Sequence, residues 1–164
     1  MTWVLIILYT MVPALELRFS IPYGVLWAQE PWWLVLPVCI IANGLLGAPL
    51  WWVAKTGHHF VEKVPWMKRL WDRFVERGRA RIEPYVQRWG TLGLAMFIAV
   101  PFPGSGVYTG VTAAYVMGLR FRQVFLASWL GVIGAGMMVM LIVFAFQSGV
   151  EWLEIFIKVP EATP

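Results

Sequence analysis

Two ionisable residues, Glu16 and Arg18, interrupt an apolar N-terminal segment. The stretch before them (1–15) and the stretch after them (19–29) carry no charge. A charged side chain in apolar surroundings is costly, which makes the pair a candidate for substrate or ion binding. Positions i and i+2 point apart on a helix, whereas in an extended break both could line one cavity. The competing interpretation is a structural pair that caps the ends of half-helices.

Prolines mark two breaks in the apolar sequence, and the second break also contains two glycines. The first runs from 13 to 22, and the second is the Pro-Phe-Pro-Gly-Ser-Gly stretch at 101–106. We predict that Pro22 lies in the first turn of a returning half-helix, with Ser20 nearby as its cap. In the second break the corresponding residues are Ser105 and Gly106.

These breaks, taken with the charges, suggest a type of ligand. A helix N-terminus attracts anions through its free N–H groups and its dipole. Two such N-termini directed at one point, together with Arg18, predict a site for a phosphate or carboxylate group. Glu16 would supply proton coupling or repel the wrong ions. The alternative is that the glycines of the breaks only allow close packing.

Asn43 lies in the middle of the next apolar run, beside Gly44 and near Gly47. Small residues let helices approach, and an amide can bond across them. Asn43 therefore either packs or lines a cavity, and Gly131, Gly134 and Gly136 in the last run are expected to pack. The candidate binding residues are Glu16, Arg18, Ser20, Pro22, Asn43, Pro101, Pro103, Gly104, Ser105 and Gly106.

The composition places these residues in a membrane protein. Of 164 residues, 60% are hydrophobic and 13% charged, against about 45–50% and about 25% in soluble domains. A chain of this size cannot hide that much apolar surface in one core, which excludes a soluble enzyme, a nucleic-acid module and a disordered chain. With no Ser/His/Asp set or metal-ligand cluster in the apolar segments, we expect no enzymatic activity, cofactor or metal. The N-terminus lacks the basic region of a signal peptide, so we expect it in the mature protein.

The lengths of the charge-free runs predict two full spans and two hairpins. Runs 31–54 and 123–150 each fit one membrane-spanning helix of about 20 residues. Run 89–119 is too long for one span and is broken at 101–106, which predicts a re-entrant hairpin. Segment 1–29 has the same layout. Backbone broken at membrane depth must be covered by protein or water, so both breaks should lie inside the protein.

The distribution of charge orients this arrangement. Residues 55–88 hold nine of the 13 basic residues. Arg120 and Arg122 lie on the same side of the membrane as this segment if both hairpins are re-entrant, and on the opposite side if all four apolar segments span fully. The positive-inside rule makes that side cytoplasmic. The fold class predicted is an all-α integral membrane protein: an inverted repeat of hairpin plus span (1–54 and 89–150), a basic amphipathic cytoplasmic segment between the halves (55–88), and a tail (151–164). An offset of 85 residues gives a weak internal alignment.

The cytoplasmic segment is expected to contain an amphipathic helix from Pro65, limited by Gly78 and Pro84. Its apolar positions recur at helical spacing and its other face is basic. Such a helix fits the anionic inner leaflet. The alternative is a linker helix with a solvated face.

The strings Pro-Ala-Leu-Glu-Leu-Arg-Phe-Ser-Ile-Pro at 13–22 and Pro-Phe-Pro-Gly-Ser-Gly at 101–106 resemble the small multidrug export protein family over nearly the whole chain. That family looks related to the DedA/VTT-domain membrane proteins. The resemblance implies re-entrant hairpins and lipid transport, such as flipping of a polyprenyl phosphate or a phospholipid.

Three functions follow as hypotheses. The leading one is a small transporter or lipid translocase of the bacterial inner membrane, with an anionic substrate engaged by Arg18 and the half-helix N-termini. The second is a drug exporter in which Glu16 exchanges protons for substrate, and the third is a non-transporting assembly factor. The expected partners are membrane lipids and a second copy of the chain, since a homodimer would cover the breaks. No nucleic acid is expected.

Overall fold

The computed structural model describes residues 1–13, 15–61, 65–100 and 105–157, and every regular element in these ranges is helical. The first half of the chain forms two short helices and one long helix, and the second half repeats this order after a connecting helix. The elements are α1 (Thr2–Met11), α2 (Glu16–Pro22), a π-helical turn (Tyr23–Trp27), α3 (Trp32–Val61), α4 (Pro65–Trp89), α5 (Thr91–Ala99), α6 (Val107–Val116) and α7 (Phe121–Ile157).

Two of the described helices are long and apolar enough to cross a membrane. They contain the segments Trp32–Thr56 and Phe121–Gly149, which agrees with the two spans predicted from the sequence. Only 28% and 39% of their most apolar windows are buried within the chain. Large apolar side chains such as Leu45, Leu141 and Phe146 point outward, as expected of helices solvated by lipid. Both helices continue past the predicted limits, to Val61 and Ile157.

The first break is shorter than predicted. α1 ends at Met11 and α2 already begins at Glu16, so Pro22 lies inside a helical run and not in its first turn. Pro22 has no N–H to donate to the carbonyl four residues earlier. Directly after Pro22 the chain continues as the π-helical turn, where the N–H of Ala28 bonds to the carbonyl of Tyr23 at 2.9 Å. The prediction for Pro22 was therefore wrong.

The second break lies where it was predicted. α5 ends at Ala99 and α6 begins at Val107, on either side of the predicted break. Gly106 is the N-cap residue of α6, with φ +138°, a conformation that favours glycine. Three of the predicted binding residues, Pro101, Pro103 and Gly104, lie outside the described residues.

α4 is one helix from Pro65 to Trp89, longer than predicted, because Gly78 and Pro84 are both absorbed into it. It packs against α5 and α6. The approach to α5 is so close that a Cβ on Gly93 would overlap the Tyr85 carbonyl. The basic side chains of Arg69, Arg73, Arg77 and Arg79 are exposed.

Small residues bring the remaining helices together, as the sequence predicted. A Cβ on Gly131 of α7 would lie 2.6 Å from the Cβ of Ile98 on α5, and one on Gly136 would lie 3.0 Å from Ile40 on α3. Lipid is as apolar as a leucine side chain, so helix association in a membrane depends on such close packing. Gly131, Gly134 and Gly136 of α7 are therefore packing residues, and the buried core joins both halves of the chain.

Candidate functional site

The two breaks meet, and Arg18 joins them. Its Nη2 donates to the carbonyl of Val100 at 3.2 Å, to the carbonyl of Ser105 at 2.6 Å and to Ser105 Oγ at 2.8 Å. The Ser105 hydroxyl in turn donates to the Val100 carbonyl at 2.6 Å. Val100 is the C-cap residue of α5, so the guanidinium lies at the end of a helix where carbonyls are unpaired and the dipole favours a cation.

Glu16 lies at a helix N-terminus, whereas Arg18 lies at a helix C-terminus. Its carboxylate faces the backbone N–H groups of Val107 and Tyr108 in the first turn of α6. It is packed so tightly on Gly106 that a Cβ there would lie 2.5 Å from Oε2 and 2.8 Å from Oε1. The positive end of the α6 dipole favours such a negative charge. Glu16 is only 6% exposed, and its backbone has φ +43°, which is rare for a residue other than glycine.

Glu16 and Arg18 form no ion pair among the contacts of the described residues, although they attract each other through space. Arg18 engages the C-terminus of α5, and Glu16 engages the N-terminus of α6. The structure therefore places both charges at half-helix ends, as the structural interpretation of the sequence expected, but it separates them into two contacts.

Asn43 completes the site from α3. It is 1% exposed, and neither Nδ2 nor Oδ1 has a hydrogen-bond partner. Its amide is directed at the Glu16 carboxylate without reaching hydrogen-bond geometry. A buried amide without a partner costs about 1–3 kcal/mol. Of the two roles left open for Asn43 by the sequence, this position favours lining the site.

A contact that the sequence analysis missed joins α6 to α1. The hydroxyl of Tyr108 on α6 donates to the carbonyl of Met11, the last residue of α1. Tyr108 of α6 thus caps the C-terminus of α1, just as Arg18 of α2 caps the C-terminus of α5. The signal available in the sequence was the position of Tyr108, two residues after the Pro-Phe-Pro-Gly-Ser-Gly stretch.

Three further buried polar side chains come together where α1, α2 and α3 pack. Thr10, Ser20 and Cys39 have no exposed surface, and the Cys39 thiol lies beside both hydroxyls. Ser20 Oγ donates to the carbonyl of Glu16 at 2.9 Å. Ser20 therefore bonds back within α2 and does not cap a helix, which corrects the prediction, because α2 starts four residues before it.

The site brings together one cation, one carboxylate and one unpaired amide. They lie where the C-termini of α1 and α5 meet the N-termini of α2 and α6. Pro22 is not part of this site. Ser105 contributes by accepting a hydrogen bond from Arg18, and Gly106 contributes by leaving room for the Glu16 carboxylate. In the described part of the chain, no three His, Cys, Asp or Glu residues are grouped as a metal site would require.

The sequence was compared with known proteins. No curated protein and no solved structure matches the chain. Residues 16–138 match the family described as "Putative small multi-drug export protein". The match covers about three quarters of the chain and includes the charged residues of the first break, all of α3, α5 and α6, and about the first half of α7. On this evidence the chain belongs to the small multi-drug export protein family.

Proposed function

We propose that the protein is a small membrane transporter that moves an anionic substrate through the site where its two hairpins meet. The observation that carries the proposal is the placement of Arg18 and Glu16 at the ends of broken helices, beside the unpaired Asn43 amide of α3, inside an apolar protein. Charged and polar groups so placed mark substrate and ion pathways in membrane proteins. The proposed substrate class is a lipid phosphate, in keeping with the suggested relation to the DedA/VTT-domain proteins.

The proposed topology is re-entrant. α1, α5 and α6 have ten, nine and ten residues, so each is about 15 Å long, half of the roughly 30 Å hydrocarbon layer. Both hairpins then enter to mid-depth and return to the side from which they came. The proposed location is the bacterial inner membrane, with α4, Arg120 and Arg122 on the cytoplasmic side.

An inverted repeat is the second element of the proposal. α5 begins 89 residues after α1 (91 against 2), and α7 begins 89 residues after α3 (121 against 32). α6 begins 91 residues after α2 (107 against 16). This order supports a repeat with a spacing near 89, which replaces the offset of 85 suggested by the sequence. The reciprocal capping by Arg18 and Tyr108 is consistent with it.

A second candidate function is drug export coupled to protons, which the family description favours. Glu16 would exchange a proton for the substrate. Arg18 argues against an organic cation as the substrate, because its charge lies close enough to Glu16 to offset it. The anionic substrate remains the better fit to the geometry.

The test is a substrate panel in proteoliposomes. Purified protein is reconstituted, and the movement of labelled phosphatidylglycerol, labelled phosphatidylcholine and a cationic dye is measured beside protein-free vesicles. We expect phosphatidylglycerol to move faster than the other two. Faster movement of the dye would favour drug export, and movement of none of the three would favour an assembly factor.

We also propose that the protein associates as a homodimer, which would shield polar groups near the breaks from lipid. Arg18 is only partly buried, and its neighbour Phe19 is 41% exposed, so the surface beside the site is open in one copy. Mass measurement of the protein in detergent tests this: a mass of two chains is expected, and a single chain would contradict it.

A further inference from the structure

The Glu16 carboxylate occupies the position that an anionic ligand would take. The N-terminus of a ten-residue helix, α6, is an anion-binding position by its free N–H groups and its dipole. Both carboxylate oxygens of Glu16 lie against Gly106, the residue that caps this helix. While Glu16 is ionised and in place, there is no room for a second anion there, and two negative charges in contact would repel each other.

Asn43 gives a second observation at this point, and it too concerns the Glu16 carboxylate. Its amide is buried and directed at the same carboxylate, yet neither of its polar atoms has a partner. The Nδ2 group has two hydrogens to donate. A ligand with more acceptor oxygens than a carboxylate, such as a phosphate, could accept from this amide and from the α6 N–H groups together.

We propose that Glu16 is an internal occupant of this anion site, and that its protonation vacates the site for a phosphate-type oxyanion. This inference rests on the proposed transport function and specifies its coupling. A proton from solvent adds to one carboxylate oxygen, and no covalent bond to the substrate is made or broken. Neutral Glu16 leaves the α6 N-terminus, and the substrate oxyanion takes its place beside Arg18 and Asn43.

The charge of the site explains why protonation of Glu16 and binding of the anion are linked. Of the described charged and titratable groups, Arg18 on the same helix and Tyr108 on α6 face Glu16. Arg18 and the α6 dipole are complementary to a single negative charge. Either the carboxylate or the substrate supplies that charge, so one proton enters the site with each singly charged anion.

The coupling predicts a definite pH dependence. Only the protonated form of Glu16 leaves the site free, so the apparent Kd equals the intrinsic Kd divided by the protonated fraction. Above the titration midpoint of Glu16, that fraction falls tenfold for each pH unit. The apparent Kd should therefore rise tenfold per pH unit, and binding is strongest on the acidic side.

Calorimetric titration of the protein in phosphatidylcholine nanodiscs tests this between about pH 5 and pH 8. The probes are dimethyl phosphate and dihexanoyl phosphatidylglycerol, two phosphodiesters that keep one negative charge throughout this range. Binding of the lipid alone would identify a lipid headgroup as the ligand, and equal binding of both would identify the free anion. Glu16→Gln keeps the shape of the side chain but carries no charge, so its Kd should be low and independent of pH.

The two ways of failing are distinct. Binding by the unaltered protein that does not change with pH would overturn the internal-occupant inference and leave the proposed function standing. Binding of neither probe at any pH, in the unaltered protein or in Glu16→Gln, would overturn both. The pH series on the unaltered protein needs no variant, so the inference stays testable even if Glu16→Gln fails to fold.

Discussion

Removal of the two charges, singly and together, distinguishes two helix-end contacts from one buried ion pair. Arg18→Gln removes the charged group that donates hydrogen bonds to three acceptors. Because these acceptors share the two hydrogens of one nitrogen, and a hydrogen bond to a charged group contributes about 1.5–3 kcal/mol, the expected loss is about 2–4 kcal/mol. Glu16→Gln keeps the side-chain shape and loses the interaction with the α6 dipole, about 0.5–2 kcal/mol.

The stability of the double variant decides between the two arrangements. Since each charge contacts a different helix end, the two losses should add to within about 1 kcal/mol, and the double variant should be the least stable of the three. A buried ion pair would behave differently: each single change would cost about 3–5 kcal/mol, and the double change would restore much of the stability.

The assay is denaturant unfolding of the detergent-solubilised protein, followed by far-ultraviolet circular dichroism. Arg122→Gln is the matched control, because Arg122 is an exposed arginine at the start of α7. Its effect should lie within about 0.5 kcal/mol of zero. A double variant as stable as the unaltered protein would refute the reasoning.

Three further outcomes are expected. Single cysteines at Gln87 and Arg122, in a Cys39→Ala background, should be labelled by an impermeant thiol reagent from the same side of the membrane, and labelling from opposite sides would contradict the re-entrant hairpin. Gly106→Ala should lower the free energy of unfolding by about 2–4 kcal/mol, since the new Cβ meets a carboxylate at a φ that only glycine adopts easily; unchanged denaturant unfolding would count against the packing at α6. Tyr108→Phe removes one hydroxyl donor and should cost about 1 kcal/mol in the same unfolding measurement, whereas no loss would argue against the cap on α1.

Local patterns in the sequence predicted the outline of the fold. The charge-free runs gave both long helices, and the prolines and glycines at 101–106 marked a break between Ala99 and Val107. These features were predictable because apolar runs and helix-breaking residues act on the chain next to them. Pro22 shows the limit of such rules. It would ordinarily start or end a helix, but here α2 runs up to it and the π-helical turn follows directly.

The candidate site was predictable by its residues and not by its contacts. Glu16 and Arg18 were conspicuous as charges in an apolar segment, and Asn43 as an amide in the middle of a span. Their partners lie far along the chain: Arg18 bonds to Ser105, 87 residues away. No local periodicity specifies such a pairing, because it depends on how two hairpins pack in three dimensions. The same reason explains why Tyr108 was missed.

The central claim is that the meeting point of the two hairpins is the transport site. Its most direct test is the flux of labelled phosphatidylglycerol in proteoliposomes containing Arg18→Gln or the control Arg122→Gln, each normalised to the amount of folded, monodisperse protein. Arg18→Gln removes the only cation that the described structure places at the site, so we expect its flux to fall at least about tenfold, a loss of about 1.4 kcal/mol or more, while Arg122→Gln matches the unaltered protein. Equal flux through the two variants would show that the substrate passes elsewhere and would contradict the account.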